Sequence, residues 1–262
     1  MTLVKHELRQ GWLSFVIWTG SIGFLLVICI ILFPEMKGQM EGVTDVFASM
    51  GSFTAAFGMD RLSFGTLTGF YAIECGNVLG LGGAFYAALC GVGILSKEEK
   101  ERTAEFLLTH PVSRGRIVTE KLAAVLLQIT VMNLVVFGLA VGFVWAIGEE
   151  MPWKELGLLH LAYYLLQLEL AGICFGISAF TRRGSAGIGL GLASILYFLN
   201  IIANITESAE FLKYITPFGY ADGADVISEG CLNMGMVLPG MALGVVGIIL
   251  AYWHYRRKDI HG

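Results

Sequence analysis

Six stretches of this chain are apolar over the 20 or so residues that a helix needs to cross the hydrocarbon core of a bilayer. They occupy residues 13–33, 67–95, 122–147, 156–180, 184–205 and 231–255. Four of them contain no Asp, Glu, Lys or Arg; the second is interrupted only by Glu74 and the fourth only by Glu169. Within lipid a chain must satisfy its own N–H and C=O groups, so runs of this length are expected to be helices. No strand-like alternation and no internal repeat is evident. The expected fold is all-α: a polytopic membrane protein with six transmembrane helices, forming a single domain over residues 1–262. Composition agrees, with only 15% charged residues against roughly a quarter in soluble domains. The first apolar run exceeds the 7–15 residues of a signal-peptide core, and no small-residue cleavage site follows it, so it is expected to be retained.

Charge sets an expected orientation. If both termini are cytoplasmic, the inner segments hold Lys5, Arg9, Lys97, Lys100, Arg102, Arg114, Arg116, Lys121, Arg182, Arg183, Arg256, Arg257 and Lys258. Only Lys37, Arg61, Lys154 and Lys213 remain outside. That asymmetry is the positive-inside bias. It predicts a multi-pass protein with both ends in the cytoplasm; the plasma membrane of a bacterium is the expected location. The five cysteines show neither metal-ligand nor C-x-x-C spacing and read as small apolar residues.

The connections carry further expectations. Residues 1–12 place Val4, Leu8 and Trp12 on one helical face, as in a short interfacial helix. Pro34 is expected to end the first span. A long outer segment follows, and its apolar, Gly-rich part (residues 46–59) is expected to pack on the outer surface. Between the fifth and sixth spans, the periodicity of AEFLKYI and ADVISEG predicts two short outer helices around Pro217 and Gly219. Small residues spaced by four, at Gly76, Gly80 and Ala84 and at Gly187 and Gly191, suggest close helix packing.

Residues 96–121, SKEEKERTAEFLLTHPVSRGRIVTEK, hold 6 of the 17 Lys and Arg residues. Ser96 and Glu99 have the spacing of a capping box. Lys97 with Glu101, and Glu98 with Arg102, sit at i,i+4. The helix then turns apolar at Phe106, Leu107 and Leu108, and Pro111 disfavours helical geometry at His110. A second helix is predicted to start near Ser113 and run into the third span. A solvated loop that only fixes topology accounts for the charges. It does not account for three bulky apolar side chains near water, which suit either the lipid interface or a partner's groove.

This segment resembles the hallmark of ABC-2 type transporter permeases, approximately E-x-x-G-T-L-E-x-L-L-x-x-P-V-S-R-x-x-I-x-x-x-K. It matches at Glu99, Thr103, Glu105, Leu107, Leu108, Pro111, Val112, Ser113, Arg114, Ile117 and Lys121, and departs at Arg102 and Ala104. The resemblance implies a coupling helix over residues 98–111 that seats in a separate ATPase subunit. Glu98, Glu99, Arg102, Thr103, Glu105, Phe106, Leu107, Leu108, Thr109, His110 and Pro111 would form the contact. It also implies an exporter assembled from two permease subunits, identical or homologous, and two ATPase subunits. The chain has no G-x-x-x-x-G-K-[ST] loop to cradle phosphates. It is therefore expected to bind no cofactor and to be no enzyme, with ATP and Mg on the partner ATPase. The bilayer is the remaining partner; no metal site and no nucleic-acid partner are expected.

Glu74 and Glu169 are the acidic residues inside the apolar runs, and such carboxyl groups are functional candidates by default. Both are candidates for a transport path. Gln128, Asn133, Asn200 and Asn204 read instead as contacts between helices. His160 and Glu169 lie nine residues apart and so face opposite ways around a helix. An ion-coupled secondary transporter using Glu169 or Glu74 is the alternative, although it gives no account of residues 96–121. An intramembrane protease is disfavoured, because Glu98-Glu99-x-x-Arg102 is one residue short of the E-E-x-x-x-R pattern and His160 is the one histidine well inside a span, His254 standing at the very end of the sixth.

Overall fold

The computed structural model describes residues 2–38, 50–101, 113–181 and 185–258. Among them every regular element is helical. Helix α1 (Thr2–Gln10) leads through Gly11 into α2 (Trp12–Lys37). The short α3 (Ser52–Ala56) follows, then α4 (Leu67–Cys75), a π-helical turn (Gly76–Leu81) and α5 (Gly82–Val92), which together make one continuous span. After α6 (Lys97–Glu101) come the long helices α7 (Arg114–Ala146), α8 (Trp153–Phe180) and α9 (Ala186–Ile205). A 3₁₀ segment (Glu207–Tyr214), α10 (Pro217–Tyr220) and α11 (Gly223–Glu229) precede the final α12 (Met234–Arg257). Six of these helices are long and apolar enough to cross a membrane. This is an all-α polytopic membrane protein.

Local chemistry explains many of the boundaries. Ser113 accepts from the Arg116 N–H and caps α7, whose start lies where the sequence predicts it. Thr66, Ser185 and Asn233 cap α4, α9 and α12 in the same way, each satisfying a backbone donor that the first turn leaves unpaired. Asp222 caps α11 through the N–H groups of Ala224 and Asp225, and Gly230, with φ +62°, closes that helix in the left-handed region.

Three expectations need correction. Pro34 does not end the first span: α2 continues through it to Lys37. Trp12 does not belong to the N-terminal helix with Val4 and Leu8: α1 ends at Gln10, and Trp12 opens α2, 63% exposed. The buried residue of α1 is instead Glu7. Of the two outer helices, ADVISEG forms α11, but AEFLKYI lies in the 3₁₀ segment, and the Pro217 turn adds a third element.

Helix α8 is the central column. In its most apolar 18-residue window 67% of residues are buried, against 17% for α12. Between helices in lipid, association relies on close packing more than on the hydrophobic effect, and small residues permit it. The closest seam joins α8 to α12. A methyl group added at Gly172 would stand 2.6 Å from the Gly244 carbonyl oxygen, and one at Gly176 would stand 2.8 Å from that of Gly247. On the other side of α8, Tyr163 lies against Gly76 and Gly80, and Gln167 lies against Gly83. Gly76 and Gly80 therefore do serve close packing. Gly187 and Gly191 do not: Gly191 faces open space, and the contact on that helix falls at Gly189, against Ala88 of α5.

Replacing Gly172 with Ala forces the seam apart, which is expected to destabilise the protein by about 1–3 kcal/mol. Gly138→Ala, where nothing lies within 4 Å, should leave stability unchanged or slightly raised. Thermal unfolding in detergent compares the two.

Candidate functional site

The end of the bundle where α1, α6 and the last turn of α12 meet is built on one buried ammonium. Lys121, in the second turn of α7, is fully buried. Its Nζ lies 3.0 Å from Glu7 Oε1, 2.5 Å from Glu98 Oε1 and 2.6 Å from the Ile94 carbonyl oxygen. An ammonium has three donors and no acceptor, so this lysine is satisfied by three oxygens from α1, α6 and the turn before α6. Lys97 reaches the other oxygen of Glu7 at 3.4 Å and also pairs with Gln10. Burial alone would raise the Glu7 pKa, but Lys121 and Lys97 outweigh it and hold the carboxyl below its ordinary value.

Helix α1 is tied to α7 at a second point. Glu120 Oε2 accepts from the Leu3 and Val4 N–H groups at 2.9 and 3.4 Å, so a carboxylate stands at the N-terminal end of the α1 dipole. On the opposite side of the junction, Lys258 pairs with Glu99 at 3.0 Å and donates to the Thr181 carbonyl. Arg114 donates to the Lys258 carbonyl at 2.6 Å. One small region thus joins the start of the chain, residues 94–99, the foot of α7 and the end of α12.

The residues singled out in the sequence divide accordingly. Glu98 and Glu99 belong to this junction and pair across the fold with Lys121 and Lys258, rather than standing free on a solvated helix face. Lys97, expected to pair along its helix, reaches Glu7 on α1. Arg102, Thr103, Glu105, Phe106, Leu107, Leu108, Thr109, His110 and Pro111 lie outside the described residues. Glu7 was not singled out from sequence. The signal for it is faint, a lone carboxylate between Val4 and Leu8 on a helix otherwise basic.

The intramembrane polar groups do not form one cluster. Glu169 is 2% exposed and accepts from the Tyr220 hydroxyl at 3.0 Å, with its carboxyl packed against Gly240 of α12. Burial and the adjacent Glu169 push the Tyr220 phenol well up, so it stays a donor. His160 Nε2 lies 2.6 Å from the Tyr71 hydroxyl on another face of α8, as the nine-residue spacing predicts. Gln167 accepts from Asn133 at 2.6 Å and donates to the Leu79 carbonyl in the π turn. Glu74 is partly buried beside Cys29, whose thiol donates to it at 3.6 Å. Gln128 accepts from the Tyr86 hydroxyl at 2.9 Å and joins α7 to α5.

A helical bundle of six spans, with a buried ion-pair junction at the foot of the charged segment, is the architecture on which comparison with known proteins bears. The model of a family described as ABC-2 family transporter protein matches residues 1–260. The chain belongs to that family. It is a permease subunit of an ABC transporter, the transmembrane part rather than the catalytic one. No curated protein matches the sequence. In this ABC-2 permease Glu98 is held by Lys121 and Glu99 by Lys258, so the start of the charged segment at residues 96–121 is fixed to the membrane domain.

Removing one partner of a buried pair leaves an uncompensated charge, so Lys121→Met is expected to lower stability by about 3–5 kcal/mol. The double variant Lys121→Met with Glu7→Gln should recover part of that loss in chemical or thermal unfolding. Because the folded Glu7 pKa is depressed, its contribution is complete above the ordinary value of 4.5 and is lost as pH falls through the lower folded-state value. Unfolding midpoints measured from pH 7 downward should therefore fall more steeply below pH 4.5 in the native protein than in Glu7→Gln.

Proposed function

We propose that this permease subunit serves an ATP-driven exporter in the plasma membrane of a bacterium, with both termini cytoplasmic. Two copies of a separate ATPase subunit bind ATP and Mg and dock on residues 98–111 of two permease subunits, identical or homologous. The whole chain acts as one transmembrane domain. The orientation rests on the charge asymmetry, because the end bearing the Lys121 junction is also the end rich in Lys and Arg.

The observation that carries this reading is the buried Lys121 ammonium, bonded at once to Glu98, Ile94 and Glu7. A displacement of the coupling segment is transmitted only if its root cannot slide. Separating a buried pair is unfavourable by about 3–5 kcal/mol, so residues 94–98 move together with α1 and α7. Helix α1 continues through Gly11 into α2, and α7 is itself a span. Force applied at residues 98–111 therefore reaches the first and third spans directly. Glu98 and Glu99 transmit this movement, while Arg102, Thr103, Glu105, Phe106, Leu107, Leu108, Thr109, His110 and Pro111 make the contact with the ATPase.

Glu169 and Glu74 remain proposals for the transport path. Glu169→Gln keeps an oxygen for the Tyr220 hydroxyl and a side chain of the same size against Gly240. Loss of transport with an unchanged unfolding midpoint would assign Glu169 to the path; unchanged transport would assign it to packing.

The coupling assignment is tested by Phe106→Asp and Leu107→Asp in the complex reconstituted in nanodiscs. Both should abolish co-purification of the ATPase and stimulation of its ATP turnover, without changing the unfolding midpoint of the permease. Retention of both properties would show that the ATPase docks elsewhere.

A further inference from the structure

At the end of the bundle opposite Lys121, a cavity of about 60 Å³ lies between the π turn, α8, α9 and the segment from Phe218 to Ala224. Asn77, Tyr163, Tyr197, Asn200, Asn204 and Asp222 are among its walls. Three buried polar atoms in these walls have no hydrogen-bond partner: the Tyr163 hydroxyl, Asn200 Oδ1 and Asn204 Oδ1. Tyr163 and Asn200 are only 2% and 8% exposed. Buried polar atoms in this setting are unfavourable unless something satisfies them.

The imbalance has a sign. Asn204 Nδ2 donates to Asp222 Oδ2 at 2.9 Å and to the Ala56 carbonyl, which leaves its Oδ1 as an acceptor. Asn77 Oδ1 accepts one bond, from the Tyr197 hydroxyl at 3.3 Å, and retains a lone pair. The buried wall atoms left without a partner among the described residues are therefore all oxygens. At its rim, among the described residues, the carboxylates of Asp60, Asp222 and Asp225 pair with Arg61 and Lys213, three negative charges against two positive. The Arg61 guanidinium is held against Asp222 and Asp225 and is not among the cavity walls. The group that suits this space is positively charged and offers donors or a hard centre to neutral oxygens. At roughly 15 Å³ for each water, the space holds only a few heavy atoms.

We propose that this cavity is a binding site for a small monovalent cation, either an alkali ion or a primary ammonium group. Amide and hydroxyl oxygens of Asn77, Tyr163, Asn200 and Asn204 hold it, with the Asp222 cluster supplying the long-range attraction. Hard cations take oxygen ligands, and an ammonium donates to the same oxygens. The walls come from the second span, α8, α9 and the cap of α11, so an occupant clamps the acidic-end segment onto the bundle. Such a site is independent of how the ATPase is attached.

The test is thermal unfolding of the full chain in nanodiscs at constant ionic strength, in the chlorides of sodium, potassium, ammonium and methylammonium. N-methyl-D-glucamine chloride, whose cation is too large for the cavity, is the reference. At tenfold excess over Kd, a bound cation should raise the midpoint by about 4 °C, with saturable dependence on concentration. The sodium and potassium arms distinguish an alkali ion from the ammonium arms. The rise should vanish in Asn200→Leu and shrink in Tyr163→Phe, which loses one oxygen while keeping the ring that packs on Gly80, so it folds even if the first variant does not. Equal midpoints in all five salts would mean that the cavity holds only water. A rise that persists in full in Tyr163→Phe and in any folded Asn200→Leu would place the cation elsewhere. Either result overturns the assignment.

Discussion

The contact on which the rest of the structure depends is the approach of α8 to its neighbours at backbone distance. Along one side, Gly172 and Gly176 meet Gly244 and Gly247 of α12; along the other, Tyr163 and Gln167 fill the space left by Gly76, Gly80 and Gly83. Lipid tails are as apolar as leucine, so burying leucine between helices gives little preference for one arrangement over another. Backbones that touch do give such a preference. With α8 seated this way, its polar side chains fall at defined places: His160 on Tyr71, Gln167 on Asn133 and the π turn, Glu169 on Tyr220.

The two ends of the bundle solve the problem of charge differently. At the basic end, the ammonium of Lys121 is satisfied by three oxygens, and several chain segments converge on it. That end is a joint that ties α1, α6, α7 and the end of α12 together. At the acidic end, Asp222 is shared among Arg61, Asn204 and the first turn of α11, and the neighbouring cavity has acceptors left over. Direct ion pairs between chain segments dominate the first end, and neutral amide and hydroxyl oxygens the second.

Much of this protein was legible in the residues. Runs of about 20 apolar residues cannot sit in water or in lipid as anything but helices, so the six spans, the Ser113 start of α7 and the all-α class follow from composition and capping chemistry. The segment at residues 96–121 was recognisable because charge and apolar bulk are combined where topology alone needs only charge. Less visible were features that depend on which helix faces which. The glycines of the seam between α8 and α12 lie 71 and 72 residues apart in the chain, and with 34 glycines spacing alone points equally to Gly187 and Gly191, which make no such contact. Trp12 looked like part of an interfacial face until the break at Gly11 moved it to the next helix.

The sequence by itself determined the membrane class, the number of spans, the charge asymmetry between the two ends and the family hallmark. These are properties of local composition, and the bilayer imposes them whatever the packing. Only the tertiary structure decided that Glu7 and Lys121, 114 residues apart, share one buried joint with Glu98. It also decided that Glu169 is anchored by Tyr220, and that Asn200, Asn204 and Tyr163 surround one cavity. A charged or amide side chain carries no record of its partner in its own neighbourhood. Its role is set by the oxygen or nitrogen that folding brings within about 3 Å.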